Sequence, residues 1–208
     1  MKHFRTLFLA AFLVFAAVAF TQSGAKPAAP AQSPAPQAQA SPQPPATFAS
    51  LVDRQISAIE KQFVEAAEAM PDDKFNFTPE SLNLQGSDYK GVRTFALEVR
   101  HVATANFAFW SAVAGEPMPA NIKDRNGPEE LKTKAEIIKF LKDSYAMGHR
   151  AASKLTPENV LEPVAFPMGK APRLQLATLG VSHANDHYGQ MVEYLRMNGI
   201  VPPASRGN

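Results

Sequence analysis

Residues 173–203 read RLQLATLGVSHANDHYGQMVEYLRMNGIVPP, and this one stretch holds a helix pattern, a helix stop and a chemical signal. His183 and His187 are four residues apart, so on a helix they stack on one face and can aim both rings at a single point. That is a metal-ligand spacing. Leu176, Leu179, Met191 and Tyr194 fall on the same face, which predicts that the histidines sit on an apolar stripe and point inward. The stop is written just as locally. Gly199 suits the left-handed position after the last turn, Ile200 can fold back as the apolar contact, and Pro202 with Pro203 forbids continuation.

Upstream, the periodicity is helical almost throughout. Val52, Ile56, Ile59, Phe63, Ala66 and Met70 follow steps of four and three, which predicts a first helix over Phe48 to Met70, closed by Pro71. Lys74 to Lys90 reads as loop. Gly91 to Gly115 reads as a second helix, apolar on most of its circumference and therefore central. Glu116 to Pro128 carries the breakers Pro117, Pro119 and Gly127, and a third helix is expected over roughly Glu129 to Leu155. Thr156 to Pro172 holds four prolines and reads as irregular, and the histidine-bearing stretch supplies the fourth helix. No segment alternates with period two for long enough to argue a sheet, so the fold class is all-α, a four-helix bundle.

Before the first helix the chain changes character. Met1 to Phe20 opens with Lys2 and Arg5 and then runs apolar, with small residues at Ala17 and Ala19, the pattern of a signal peptide over 1–20. The run is short for a permanent anchor, so no stable membrane span is expected after cleavage, and the protein is expected to be exported, periplasmic or secreted. Residues 21–46 are Ala, Pro, Gln and Ser with Lys26 the one charge; they read as a disordered spacer ahead of a folded domain over 47–208. The chain has 208 residues and 45% hydrophobic content, enough for one real core, but no cysteine, so that core must hold without disulfides. Setting aside Lys2 and Arg5 leaves 19 basic against 19 acidic side chains, which excludes the one-signed surface a nucleic-acid partner demands.

Of five histidines, His3 belongs to the leader, and His149 falls off the apolar stripe of the third helix and reads as a solvated surface residue. His101 shares a face of the second helix with Leu97, Ala105, Ala108 and Ala112, an inward surface of mostly small side chains. Three neutral imidazoles from two facing helices, His101, His183 and His187, can hold a first-row metal and leave a position open for water or substrate. The other reading of the same residues is three core histidines satisfied by their neighbours. The Glu of HExxH is missing, so this is not the zincin peptidase pattern, and neither GxSxG nor a phosphate loop occurs. Gln190, Glu98 and Asp186 are candidates for supporting hydrogen bonds, and Trp110 and Tyr194 for core or pocket wall.

Three stretches carry a family resemblance: MPDDKFNFTP (Met70 to Pro79), EVRHVATANFAFW (Glu98 to Trp110) and HANDHYGQMVEYLRMNGIVPP (His183 to Pro203). Together they resemble the DinB-like (DinB/YfiT) metalloenzyme superfamily, which implies a four-helix bundle with an unusual helix order. The resemblance implies a divalent metal, zinc or nickel, on His101, His183 and His187. With the signal-peptide pattern it leads to the expectation of an exported protein, a metal-dependent transferase or hydrolase working through a thiol or a metal-bound water on a small-molecule substrate. The alternative is a non-catalytic periplasmic bundle that binds a metal or ligand, and the sequence is compatible with a homodimer. No catalytic residue beyond the metal set is indicated. Tyr188 departs from the family pattern, which often has Arg there, and so removes a basic side chain from beside the second ligand of the HxxxH pair.

Overall fold

The computed structural model describes residues 45–207; the expected signal peptide and all but the last residues of the expected spacer lie outside them. Four helices carry the described chain: α1 (Phe48–Ala69), α2 (Phe95–Ala114), α3 (Lys134–Ser153) and α4 (Arg173–Met197). The bundle is laid out in an order that chain sequence alone would not suggest. Helix α1 packs against α3 and α4, and α2 packs against the same two, so α1 and α2 face each other across the bundle and α3 and α4 make only slight contact. This is what makes α2 and α4, the two histidine-bearing helices, direct neighbours. Among the described residues no helix is long and apolar enough to cross a membrane.

The helix ends show why three expected boundaries shift inward. Helix α2 begins at Phe95 and not at Gly91, because Thr94 caps it by accepting from the Leu97 amide at 3.2 Å. Gly91 has a left-handed φ of 76° that no helix interior allows. Helix α3 begins after Thr133, whose hydroxyl accepts from the Glu136 amide while the Glu136 carboxylate accepts from the Thr133 amide, a reciprocal cap that fixes the start five residues later than Glu129. At its other end α3 stops at Ser153, two residues short of Leu155. Helix α4 ends as its sequence says: Gly199 at φ 72° lets the Ile200 amide donate to the Leu195 carbonyl and its own amide to that of Arg196, both at 2.9 Å.

One expectation is corrected. Within the stretch read as irregular, residues 163–166 form strand β1 and residues 169–172 strand β2, an antiparallel hairpin pairing Pro163 with Pro172 and Phe166 with Gly169. Strands of four residues are too short to show a period of two; Pro167 and Met168 make the turn, and Gly169 at φ 136° opens the second strand.

The core lies where all four helices meet. Ile56, Ile59 and Phe63 of α1, Val99 and Trp110 of α2, Leu141 and Tyr145 of α3, and Leu176, Met191 and Leu195 of α4 are among its fully buried side chains. Trp110 is its tightest point. A Cβ on Gly148 of α3 would come within 2.6 Å of one edge of the indole, and a Cβ on Gly180 of α4 within 2.6 Å of its Nε1. The two glycines are therefore the slots that let α3 and α4 close on α2.

Candidate metal centre

Helix α2 places Glu98 and His101 one turn apart, and α4 places His183 and His187 one turn apart, with the two pairs facing each other. One nitrogen from each of His101, His183 and His187 lies within 4.8 Å of the others, and the ring centroids are 4.5–5.1 Å apart. His187 is buried and the other two are half-buried, so the cluster has one side toward solvent. A tetrahedral zinc with three imidazole ligands would need nitrogens about 3.3 Å apart, within reach of small side-chain rotations from this arrangement.

Two of the rings are held from behind. The Nδ1 of His101 donates to the backbone carbonyl of Arg125 at 2.7 Å, which commits that nitrogen and leaves Nε2 as the free lone pair. The loop carrying Arg125 is itself tied to α2: Arg100 donates to the Gly127 carbonyl at 3.1 Å, and Arg93 Nε donates to Asn126 at 3.2 Å. Gly127, at φ 77°, lies so close that an added Cβ would meet Thr104 Oγ1 at 2.7 Å. The Nδ1 of His187 sits 2.7 Å from Oε2 of Glu98, whose other oxygen is 3.7 Å from the Arg93 guanidinium. That contact is within ion-pair distance but bent away from the N–H direction, and neither atom has another partner. Both groups are almost fully buried, so even a bent contact at this distance couples them. Nδ1 of His183 is also buried without a partner.

The electrostatics suit ligation. Burial drives the His183 imidazole down to about 4, helped by the neighbouring His187 and His101 rings. Burial lowers His101 as well, against the opposing pull of the Arg125 carbonyl. Both rings are thus neutral near pH 7, the state a metal requires. Burial alone would raise the Glu98 carboxyl, but His187 and Arg93 together hold it below the ordinary carboxylate range. The donor set, the orphaned buried nitrogens and the neutral rings all fit a divalent metal, and the three histidines could hold one.

The other candidates sort differently. Glu98, one of the three candidates for a supporting contact, lies against His187. Asp186 and Gln190 are exposed and bond each other at 3.3 Å, so Asp186 does not orient an imidazole. Trp110 is core, and Tyr194 donates its hydroxyl to the Arg93 carbonyl at 3.1 Å. Tyr188 packs part-buried against the core. Leu179, placed on the apolar stripe by its spacing, is 36% exposed because the histidine side of α4 opens to solvent there. His149 is not a solvated surface residue: it is wedged between two carboxylates of α1, Nδ1 at 2.6 Å from Asp53 and Nε2 at 2.8 Å from Glu60. The Arg125 carbonyl was invisible in the sequence, since a backbone acceptor leaves no residue-type signal.

Comparison with known proteins agrees with this architecture. The family model of the DinB superfamily matches residues 55–191. A DinB-like protein from Bacillus subtilis superposes with a TM-score of 0.54 at 19% identity, over 72% of this chain and 92% of that one. A DinB-like protein from Bacillus cereus ATCC 10987 superposes with a TM-score of 0.53 at 15% identity, over 73% and 93%. At such identities the likeness speaks for the fold alone. No curated protein matches the chain.

Proposed function

The chain belongs to the DinB superfamily, and from that premise we propose that it is an exported protein which binds one divalent metal, zinc or nickel, through His101, His183 and His187, and uses it on a small-molecule substrate. The observation that supports this reading is the convergence of three imidazoles from two helices, with His101 held by a backbone carbonyl and His187 backed by a buried carboxylate. A metal bound there would supply Lewis-acid activation of a thiol or a water. The chain's own part is to keep His101 and His183 neutral and all three rings oriented. The Arg125 carbonyl fixes the His101 tautomer, and the Glu98 carboxylate backs the ring of His187. Phe109, edge-on to His183 with centroids 5.9 Å apart, excludes water from one flank. Export is argued from Met1 to Phe20 alone.

The test is metal content per chain by plasma mass spectrometry on the purified protein and on its His183→Ala variant. Near-stoichiometric zinc or nickel that disappears in the variant is the expected result. Equal metal in both proteins, or none in either after incubation with zinc and nickel and dialysis, would refute the site. With the site established, a panel of thiols and electrophiles separates transferase chemistry from hydrolysis; background turnover at full occupancy would leave a non-catalytic metal-binding bundle.

A further inference from the structure

A cleft of about 520 Å³ opens at the start of α2, directly behind the histidine cluster. Its polar lining is Arg93, Glu98, Arg125, Asn126, Gln190 and Tyr194. Two of these are the groups that hold the histidines: Glu98 contacts His187, and Arg125 contacts His101 through its carbonyl. The cleft and the metal centre therefore share a wall. Val92 and Leu97 give the cleft an apolar side, enough for the body of a small organic molecule.

The charge balance selects the ligand. Arg93 is already engaged, its Nε on Asn126 and its guanidinium 3.7 Å from Glu98. Arg125 is exposed and, among the described residues, no carboxylate lies within ion-pair distance of its side chain. Two guanidinium groups and one buried carboxylate leave the cleft one positive charge in excess. A single carboxylate neutralises it and matches the planar fork of a guanidinium. A phosphate dianion would overshoot that balance and face Glu98 across the cleft.

We propose that this cleft is a ligand site that binds the carboxylate of a small organic acid on Arg125, with Arg93 and Asn126 beside it, against the wall it shares with the histidine centre. The cleft can be tested without any turnover. The probes are benzoate, its neutral counterpart benzamide, and inorganic phosphate, titrated into the isotope-labelled, zinc-incubated protein while amide shifts are followed by NMR.

Benzoate is expected to shift amides at Gly91 to Leu97 and at Arg125 and Asn126, with benzamide and phosphate each at least about tenfold weaker. Arg125→Gln should weaken benzoate by about tenfold or more and leave zinc content unchanged, because His101 is held by the backbone of residue 125 and not by its side chain. His183→Ala should lose zinc and keep benzoate. Equal binding of benzamide or phosphate, benzoate binding undiminished in Arg125→Gln, no shifts in the cleft, or benzoate binding lost with zinc in His183→Ala would each overturn the proposal. Failure of zinc binding with benzoate still bound would refute the metal centre and leave the cleft standing.

Discussion

Adding one methyl group at Gly180 should loosen the fold and the metal centre together. In a helix interior, Gly→Ala ordinarily stabilises by up to about 1 kcal/mol. Gly189, on the same helix, shows that ordinary case, because nothing lies within 4 Å of a Cβ built there. At Gly180 the new carbon would stand 2.6 Å from Trp110 Nε1 and 2.8 Å from the adjacent ring carbon. Trp110 has no exposed surface, and Gly148 closes its other edge at 2.6 Å, so the ring has nowhere to retreat. Reaching an ordinary 3.4 Å contact requires α4 and α2 to part by about 0.8 Å. Overpacking of that kind costs about 1–3 kcal/mol, which cancels or exceeds the helical gain. Gly180→Ala should therefore be less stable than Gly189→Ala by about 1–3 kcal/mol, a melting difference of roughly 2–12 °C for a chain of this size. His183 lies one turn beyond Gly180, so parting α4 from α2 carries it away from His101 on the facing helix. Zinc affinity should fall in Gly180→Ala and hold in Gly189→Ala, read by chelator competition alongside thermal unfolding followed by circular dichroism. Equal stability and equal zinc affinity in the two variants would refute the wedge.

Glu98→Gln keeps the shape of the side chain and removes the charge behind His187, so zinc affinity should drop by about 10- to 100-fold with helical content intact, measured by the same competition; unchanged affinity would mean that Glu98 serves packing alone. His149 gives a pH signature of opposite sign to His101 and His183. Burial would lower its pKa, but the hydrogen bonds to Asp53 and Glu60 outweigh that and raise it above the ordinary 6.5. A raised pKa means stabilisation that is fully present below about pH 6.5 and is lost as pH climbs through the folded value. The stability gap between the wild type and His149→Gln should then be wider near about pH 6 than near about pH 9 in urea unfolding. A gap independent of pH would show that the bridge carries no charge.

How far the sequence could be read depended on whether each feature is local. Helix α4, its capped end and the inward pair His183 and His187 are local patterns, and all were legible. So was His101, because the small residues on its face marked an inward surface. Boundaries set by a reciprocal cap were less so: Val92 continues the apolar period of α2, but Thr94 and the left-handed Gly91 stop the helix from starting there. The hairpin escaped because four residues cannot display a period. His149 was misread because its partners lie 96 and 89 residues away on α1, and nothing near residue 149 announces them. The diagonal placement of α1 and α2 is a property of packing, and the family resemblance implied only an unusual helix order.

The balance of polar and apolar groups also says how metal and fold should depend on each other. Phe63, Trp110, Tyr145 and Leu195 are buried without reference to the histidines, so the bundle should fold cooperatively in the absence of metal. Yet the cluster is a standing cost, since a buried nitrogen with no partner, such as His183 Nδ1, forfeits about 1–3 kcal/mol of lost solvation. Helix registry forced by Trp110 and its two glycines keeps the rings together despite that cost. A site preorganised by packing in this way gives its binding energy to the folded state alone. Zinc at about a thousandfold above its dissociation constant should then add about 4 kcal/mol, or on the order of 10 °C in melting temperature. Full-length protein stripped by chelator should melt cooperatively at the lower temperature and recover the difference when zinc is returned. Loss of the cooperative transition in the stripped protein would show that the metal, and not the apolar core, holds the bundle; an unmoved melting point with zinc in excess would show that the folded state does not bind it.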